Sequence, residues 1–271
     1  MLQQTQVDRV IPKWLAWLEQ FPTLTALAEA QRADVIRAWS GLGYNVRAVR
    51  LHEIAREAVE RFGGSLPPTV DLLMELKGIG RYTAGAVACF GFGLAAPMVD
   101  TNVRRVLGRI FLGEPLMPVT RTKEAERLAE TVLPLDRAYP WNQALMDLGA
   151  TVCTASRPAC LLCPLLGLCK AAPTMSAWPE ERQRELRESR AVYGAKGSKT
   201  ARQRFFRGQI VDALRAVPTG DWVAFGAIRA GVAPDFDEAD SLWLRELAER
   251  LVRDGLLEGR AEPEAGFRLA H

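Results

Sequence analysis

The sequence of 271 residues contains no run of 18 apolar residues. A membrane-spanning helix needs about 20 such residues, so no membrane partner is expected. The sequence also has no charged segment leading into an apolar stretch with a small-residue cleavage site at its start, as a secretory signal would. We therefore expect a cytoplasmic protein. Strand-like alternation of apolar and polar residues is missing over any useful length before residue 170, which predicts an all-α N-terminal part.

The charge balance does not identify a ligand. The formal net charge is +3 and the pI is about 8.7, which is only mildly basic. Hydrophobic residues make up 48% and charged residues 25% of the chain, as in ordinary globular proteins. The length allows one large or two small domains.

Cysteine is scarce, and its spacing is informative. Four of the five cysteines follow the pattern C-x6-C-x2-C-x5-C, at Cys153, Cys160, Cys163 and Cys169. In a reducing compartment such a set indicates metal ligands more than disulfides, and it suits a four-iron–four-sulfur cluster or a zinc site. Zinc knuckles usually carry two CxxC pairs, and this chain has one. The leucines between the cysteines are expected to bury the bound group, and Cys89 is expected in the core.

Helical spacing of apolar residues predicts about nine short helices before residue 170. Residues 171–200 are polar and charged and are interpreted as a linker. Residues 201–271 predict three helices and a terminal hairpin, a winged-helix-like module. Such a module either binds DNA or docks on its own partner domain.

A glycine-containing hairpin, LKGIG, joins two predicted helices and includes Gly78 and Gly80. Glycine permits backbone angles that other residues avoid, and the amides at the start of the next helix form a ready anion site. A plain turn is the alternative. Asp100 precedes a basic helix beginning TNVRR; an isolated aspartate there is usually an N-cap.

Taken together, the segments LKGIGRYTAG, VDTNVRRVL and ALMDLGATVC and the four-cysteine loop resemble the helix-hairpin-helix DNA glycosylases that carry an iron–sulfur cluster. Within that superfamily, MLQQTQV, GLGYNVRA and NQALMDLGATVC are similar to the adenine DNA glycosylases. The resemblance covers residues 1–170, with the cluster loop at 153–169. The last 70 or so residues do not show the larger Nudix-like domain of many members.

The resemblance implies a glycosylase core that hydrolyses the N-glycosidic bond of adenine mispaired with 8-oxoguanine or guanine, in base excision repair. It implies double-stranded mismatched DNA as partner, a 4Fe-4S cofactor and a nucleoid-associated monomer. Asp100 matches the aspartate that stabilises the sugar cation. Tyr82 stands where bifunctional relatives carry a lysine, which implies a monofunctional enzyme.

Further roles are implied for residues that contact the mispaired bases: Gln4, Thr5, Leu42, Tyr44, Asn102 and Asp147. Gly78, Gly80 and Arg81 match the hairpin that holds DNA phosphates. The cluster loop is expected to present Arg157 and Lys170 to the DNA backbone.

The family places a catalytic glutamate two residues before the methionine of MLQQTQ, and this sequence begins at that methionine. We expect the natural start to lie further upstream. Two alternatives stay open. One is a thymine or uracil mismatch glycosylase of the same superfamily, and the other is a DNA-binding relative without activity.

Overall fold

The computed structural model describes residues 1–2, 5–176, 199–261 and 265–271. The chain forms two compact units. One combines both ends of the chain, residues 1–66 and 195–271, and is called the terminal unit below. The other comprises residues 67–194 and is called the central unit.

The N-terminal part of the terminal unit consists of four helices. They are α1 (Val7–Gln20), α2 (Leu24–Glu29), α3 (Arg32–Ala38) and α4 (Val46–Phe62). Thr23 caps α2 by accepting a hydrogen bond from the Ala26 amide at 3.0 Å, which satisfies one of the free donors of a helix start. Trp17 contacts both Phe21 and Trp39 edge to face, so aromatic packing joins α1 to the end of α3.

The described residues of the central unit form helices and loops, with no strand among them. Its helices are α5 (Val70–Glu75), α6 (Arg81–Ala86), α7 (Thr101–Leu107), α8 (Thr122–Val132), α9 (Ala138–Thr151) and α10 (Ala172–Ser176). Helices α6 and α7 continue as π-helical turns, Val87–Gly91 and Gly108–Leu112. The prediction of an all-α part with about nine helices before residue 170 is confirmed. No helix in the described parts of the chain is long and apolar enough to cross a membrane.

The C-terminal part of the terminal unit has the winged-helix order of elements. It contains α11 (Lys199–Arg215), α12 (Phe225–Val232), α13 (Glu238–Arg253), β1 (Val223–Ala224), β2 (Leu257–Arg260) and β3 (Gly266–Leu269). The strands form an antiparallel sheet in the order β1-β3-β2, with Val223 opposite Phe267 and Leu257 opposite Leu269. The predicted helices and hairpin are confirmed. Strand β1 was not predicted, because two residues are too few to show alternation.

This C-terminal part shares one hydrophobic core with α3 and α4. Ile36 and Val49 belong to the same buried cluster as Ile210, Leu244 and Phe267. The Arg215 guanidinium also donates to the Ile36 carbonyl at 2.8 Å. Of the two roles expected for the winged-helix module, docking on another part of its own chain is therefore observed. The predicted linker at residues 171–200 lies mostly outside the described residues, and the domain boundaries at residues 170 and 200 stay a prediction.

Candidate active site

The hairpin between α5 and α6 leaves the first amides of α6 without a capping side chain. Gly78 has φ +98°, a left-handed conformation that favours glycine. The Ile79 amide donates to the Leu76 carbonyl at 3.0 Å and closes the turn. Gly80 occupies the N-cap position with extended backbone and no side-chain hydrogen bond. Gly78, Gly80 and Arg81 are exposed residues, and uncapped amides at a helix start can bind an anion.

Arg81, the first residue of α6, forms ion pairs with α8. Its guanidinium lies 2.6 Å from the Glu130 carboxylate and 3.6 Å from that of Glu126. The side chain is about half exposed. Because two carboxylates already neutralise this cation, its role in phosphate binding stays a prediction.

Asp100 caps the N-terminus of α7. Its Oδ1 accepts a hydrogen bond from the Val103 amide at 2.7 Å, and its Oδ2 accepts one from Asn102 Nδ2 at 3.3 Å. Asp100 is partly exposed. The aspartate is thus both an N-cap and a carboxylate oriented through both oxygens.

Tyr82 lies within electrostatic range of Asp100. Burial, and secondarily the negative charge of Asp100, raise the pKa of the Tyr82 phenol above its usual value. Both effects disfavour the phenolate. The two residues predicted to be catalytic therefore influence each other electrostatically, and the tyrosine is a neutral hydroxyl at physiological pH.

The loop before Asp100 is fixed by two residues that sequence reasoning missed. Gly85 packs so tightly on this loop that an added Cβ would lie 2.3 Å from the Pro97 carbonyl oxygen. Asn142, which is 2% exposed, donates from Nδ2 to the Ala96 carbonyl at 2.9 Å and to Cys89 Sγ at 3.3 Å. In the sequence, the available signal for Asn142 was an amide side chain within a largely apolar helix.

Arg105 links the Asp100 side of the unit to the cysteine loop. This buried guanidinium donates to Asn102 Oδ1 at 3.0 Å, to the Gly149 carbonyl at 2.6 Å and to the Cys153 carbonyl at 2.9 Å. Each bond uses a donor of the rigid guanidinium fork. Asn102 is therefore oriented from both sides, by Asp100 and by Arg105.

Asp147 is exposed on α9. Its Oδ1 accepts a hydrogen bond from Gln143 Nε2 at 3.1 Å. Gly149, two residues further along, packs against α7, where an added Cβ would lie 2.9 Å from the Cβ of Asn102. Asp147 thus lies on a helix that contacts α7 closely, and its role in the base pocket stays a prediction.

The four cysteines of the C-x6-C-x2-C-x5-C loop line a single cavity. Its volume is about 30 Å³, and its wall beyond the cysteines and Arg109 is largely apolar, with Ile110, Leu148 and Met175. Burial, and then the neighbouring Cys153, raise the pKa of the Cys160 thiol. Among the described residues, no group of three or more His, Cys, Asp or Glu side chains is placed so that it could hold a metal ion.

Arg109 anchors the start of the cysteine loop from inside the unit. It is 1% exposed, and its guanidinium donates to Cys153 Sγ at 3.3 Å, to the Thr154 carbonyl at 2.8 Å and to the Ala155 carbonyl at 3.1 Å. The Ala171 amide donates to the Arg109 carbonyl at 3.0 Å, which fixes the end of the loop to the same residue. Arg157 and Lys170 are exposed.

The expectation that Leu161, Leu162, Leu165 and Leu166 bury the bound group is wrong for two of these four leucines. Leu161 and Leu162 are 90% and 80% exposed, whereas Leu166 lines the cavity. The short 3₁₀ turns Cys160–Leu162 and Leu166–Leu168 bring cysteines to the cavity, and the first of them directs Leu161 and Leu162 to solvent. The apolar wall comes largely from the segments that flank the loop, with Leu148, Val152 and Met175, and from the distant Ile110.

In the terminal unit, the predicted base-contacting residues meet at the turn between α3 and α4. Tyr44 has φ +47°, which is a strained conformation for an aromatic residue, and it is 48% exposed. Leu42 is only 3% exposed and packs in the N-terminal core. Its carbonyl accepts a hydrogen bond from Thr5 Oγ1 at 3.1 Å. Gln4 lies outside the described residues.

Arg47 holds this turn, although its charge suggested no more than a solvated helix face. Its guanidinium donates to the carbonyls of Met1, Leu42 and Gly43 at 3.1, 3.0 and 3.2 Å. It also lies over the rings of Trp39 and Tyr44, 5.1 and 5.8 Å from their centroids. One cation therefore joins the chain start, the turn and two aromatic side chains.

Residues 1–134 match the family model described as HhH-GPD superfamily base excision DNA repair protein. Among solved structures, a thermostable thymine-DNA glycosylase matches with a TM-score of 0.60 and 29% identity over 64% of this chain and 80% of that one. A trapped endonuclease III–DNA covalent intermediate matches with a TM-score of 0.56 and 25% identity, over 63% of this chain and 79% of that one.

Proteins of similar sequence identify the family within this superfamily. The adenine DNA glycosylase of Mycolicibacterium smegmatis is 40% identical over 268 residues, which cover 97% of this chain and 83% of the relative. That of Homo sapiens is 46% identical over 173 residues, 63% of this chain and 32% of the relative. The chain belongs to the adenine DNA glycosylase family of the helix-hairpin-helix base excision repair proteins.

Proposed function

We propose that this protein is a monofunctional DNA glycosylase that hydrolyses the N-glycosidic bond of adenine mispaired with 8-oxoguanine or guanine. The observation that carries the proposal is the pairing of Asp100 with Tyr82. An oriented carboxylate lies within electrostatic range of a neutral phenol, and in this proposal the phenol takes the position of the lysine of bifunctional relatives. Family membership supports adenine as the substrate.

Cleavage of the bond between a sugar and a purine develops positive charge on the sugar ring. Catalysis then requires a carboxylate near that charge and an acid that protonates the leaving base. In this proposal Asp100 supplies the carboxylate. Its hydrogen bonds from Val103 and Asn102 hold it in place before the charge develops, so little reorganisation is needed in the transition state.

In this proposal, Tyr82 limits the reaction to hydrolysis of the glycosidic bond, without strand cleavage. A lysine amine at this position could attack the sugar and form a Schiff base, which a phenol cannot do. The raised pKa of Tyr82 also keeps the oxygen protonated and weakly nucleophilic. The product is therefore an abasic site in an unbroken strand.

The adenine must leave the base stack before its bond is cleaved, and other residues must fill the gap. We assign this wedge to the turn held by Arg47, with the exposed Tyr44 and with Thr5 beside it. Phosphates are held by the amides of Gly80 and its neighbours in the hairpin, which position the duplex without reading its sequence.

We further propose that the four-cysteine cavity holds a 4Fe-4S cluster. The four sulfurs lie around a cavity with a mostly apolar wall, and an arginine donates to one of them, as expected for cluster ligands. When bound, the cluster would act as a structural cross-link of residues 153–169. Iron and acid-labile sulfide should be present at about four atoms each per chain, unchanged by Cys89→Ser and lost in Cys163→Ser. Stoichiometric zinc without iron would contradict the proposal.

The substrate is tested by single-turnover excision from duplexes that carry adenine opposite 8-oxoguanine, adenine opposite guanine, or thymine opposite guanine. We expect excision of adenine only, with an abasic product and no strand break before alkali. Thymine excision would instead support the thymine glycosylase alternative. The assay should compare this chain with one extended by the codons preceding Met1, which also tests the expected upstream glutamate.

A further inference from the structure

The turn between α3 and α4 has an unusual backbone that other parts of the chain must hold. Gly41, Gly43 and Tyr44 all have positive φ, at +84°, +69° and +47°. This left-handed region suits glycine but strains an aromatic residue, and such strain persists only where the surrounding structure fixes it. Arg47 supplies contacts from α4. A second arginine, Arg215, reaches the turn from the winged-helix module.

Arg215 is the last residue of α11, and its side chain is only 9% exposed. Its Nε and Nη2 donate to the Ile36 carbonyl at 3.1 and 2.8 Å. Its Nη2 also donates to Asn45 Oδ1 at 3.1 Å, and its Nη1 donates to Asp212 at 2.5 Å. Because Ile36 precedes the turn and Asn45 ends it, one planar guanidinium joins the two sides of the turn.

Both acceptors of Arg215 belong to helix ends. Carbonyls in the last turn of a helix lack the amide partner that they have further inside it, and the positive charge of an arginine suits this end of α3. Asn45 is the N-cap residue of α4, yet its side chain makes no capping hydrogen bond. Asparagine is among the preferred N-cap residues, so here its side chain serves the contact with Arg215 instead of its own helix.

Arg37 joins the same two elements at a different place. It lies on α3 and donates from Nη2 to the Val217 carbonyl at 2.8 Å and from Nη1 to Thr219 Oγ1. Its Nε also reaches the Arg215 carbonyl, at 3.5 Å. These acceptors belong to the end of α11 and the segment after it, not to the turn. Arg37 thus docks the module on α3, whereas Arg215 contacts the turn itself.

We propose that the winged-helix module positions the base-contacting turn, and that Arg215 is the positioning residue. Its bond to Asn45 fixes the residue next to Tyr44, and its bonds to Ile36 fix the segment that leads into the turn. The module thereby increases the preference for mismatched duplex without itself contacting the mispaired base. This inference rests on the proposed function, because it takes the turn as the part of the protein that engages mismatched DNA.

The first test needs no DNA. Hydrogen–deuterium exchange of the amides of residues 39–46 is measured by mass spectrometry in the free full-length chain. Arg215→Met retains an apolar stem and removes every donor. Exchange in the turn should become about tenfold faster, the change expected when local opening becomes easier by one hydrogen bond to a charged group.

The second test is the ratio of the affinities for two labelled duplexes, measured by fluorescence anisotropy. One carries adenine opposite 8-oxoguanine, with a 2′-fluorine on that adenosine to prevent excision, and the other carries adenine opposite thymine. Arg215→Met should lower the preference for the mismatch about tenfold. Asn45→Ala should lower it as well. The double variant should lose little more than Arg215→Met alone, because both substitutions break the same bond.

Arg37→Met is the matched control for docking of the module. Urea unfolding should show that both arginine variants are less stable than wild type, whereas only Arg215→Met should alter the exchange of the turn and the affinity ratio. Unchanged exchange and an unchanged ratio in Arg215→Met would overturn the inference and leave this arginine a purely structural role. Equal losses in the two variants would also overturn it, since docking as a whole would then be responsible.

These outcomes are distinguishable from failure of the proposed function. A wild-type chain that prefers the mismatched duplex but excises no adenine would refute only the activity. A wild-type chain without that preference would refute the proposed substrate, and hydrogen exchange would still decide whether Arg215 holds the turn.

Discussion

In the central unit the carboxylate of Asp100 is oriented by a protein interior. Gly85 and Asn142 fix the loop before it, and Asn102 and the buried Arg105 fix the helix after it. In the terminal unit the exposed Tyr44 is held in a strained backbone conformation by the half-buried Arg47, whose guanidinium reaches three carbonyls near the surface.

The difference follows from what each region is proposed to do. A carboxylate that stabilises a transition state works best when it does not move, and buried, satisfied hydrogen bonds give that rigidity. A side chain that enters a base stack must approach DNA from the surface and exchange its contacts. Surface contacts are individually weaker, so the same kind of substitution should have unequal effects in the two units.

Asp100→Asn should give the largest effect on adenine excision. It is compared with the same substitution at Asp237, a second aspartate that caps a helix. Asparagine caps helices as well as aspartate does, so α7 should persist, while excision should fall by a few hundredfold or more. Asp237→Asn is the matched control, because Asp237 caps α13 by the same bond to the third amide, at 2.8 Å. Single-turnover excision and DNA affinity are measured in the form of the protein, with or without the upstream extension, that excises adenine. Near wild-type excision by Asp100→Asn would contradict the role of this carboxylate.

Gly85→Ala tests how tightly the central unit is packed. The new Cβ would lie 2.3 Å from the Pro97 carbonyl oxygen, and relieving this backbone clash should cost about 3 kcal/mol of unfolding free energy. In the terminal unit, an added Cβ at Gly231 of α12 meets no atom within 4 Å. Gly231→Ala should therefore stabilise by about 0.5 kcal/mol. Urea unfolding measures the change in unfolding free energy of both variants. Equal changes would show that the tight packing of Gly85 does not contribute to stability.

Arg47→Met removes the cation that joins the turn to the chain start. The loss of hydrogen bonds and ring contacts should lower the free energy of unfolding by about 1–2 kcal/mol. Affinity for mismatched duplex should fall more than affinity for matched duplex, because only the mismatch engages the turn. Arg50→Met, at an exposed position of the same helix, serves as control. If Arg47→Met and Arg50→Met behave alike, the turn does not depend on this guanidinium.

His52 should produce the smallest effect, and it lies in the terminal unit. It is 2% exposed, and burial lowers the pKa of its imidazole below 6.5 in the folded protein. The unfolded chain therefore binds the proton more readily, so stability is complete above about pH 6.5 and is lost as the pH falls below it. Unfolding curves at pH 7.5 and 5.5 should show this loss in wild type and less of it in His52→Gln. His271→Gln, at the only other histidine, should retain the wild-type dependence.

Much of the site could be predicted because its elements are local. The hairpin needs glycine at Gly78 for a backbone angle that few residues adopt, and Asp100 satisfies amides one turn away. The order of the four cysteines likewise depends on one short loop. Such features can be recognised in a short stretch of sequence, since the residues that interact are only a few positions apart.

The sequence by itself determined the helices of the central unit, the hairpin, the capping aspartate and the set of cysteines. Tertiary structure decided which side chains hold them. Arg105 and Arg109 reach residues more than forty positions away, and Arg47 was indistinguishable in sequence from an ordinary surface arginine. It also decided that the winged-helix module shares a core with α3 and α4. Long-range packing depends on which apolar faces meet, and periodicity reveals only that such faces exist.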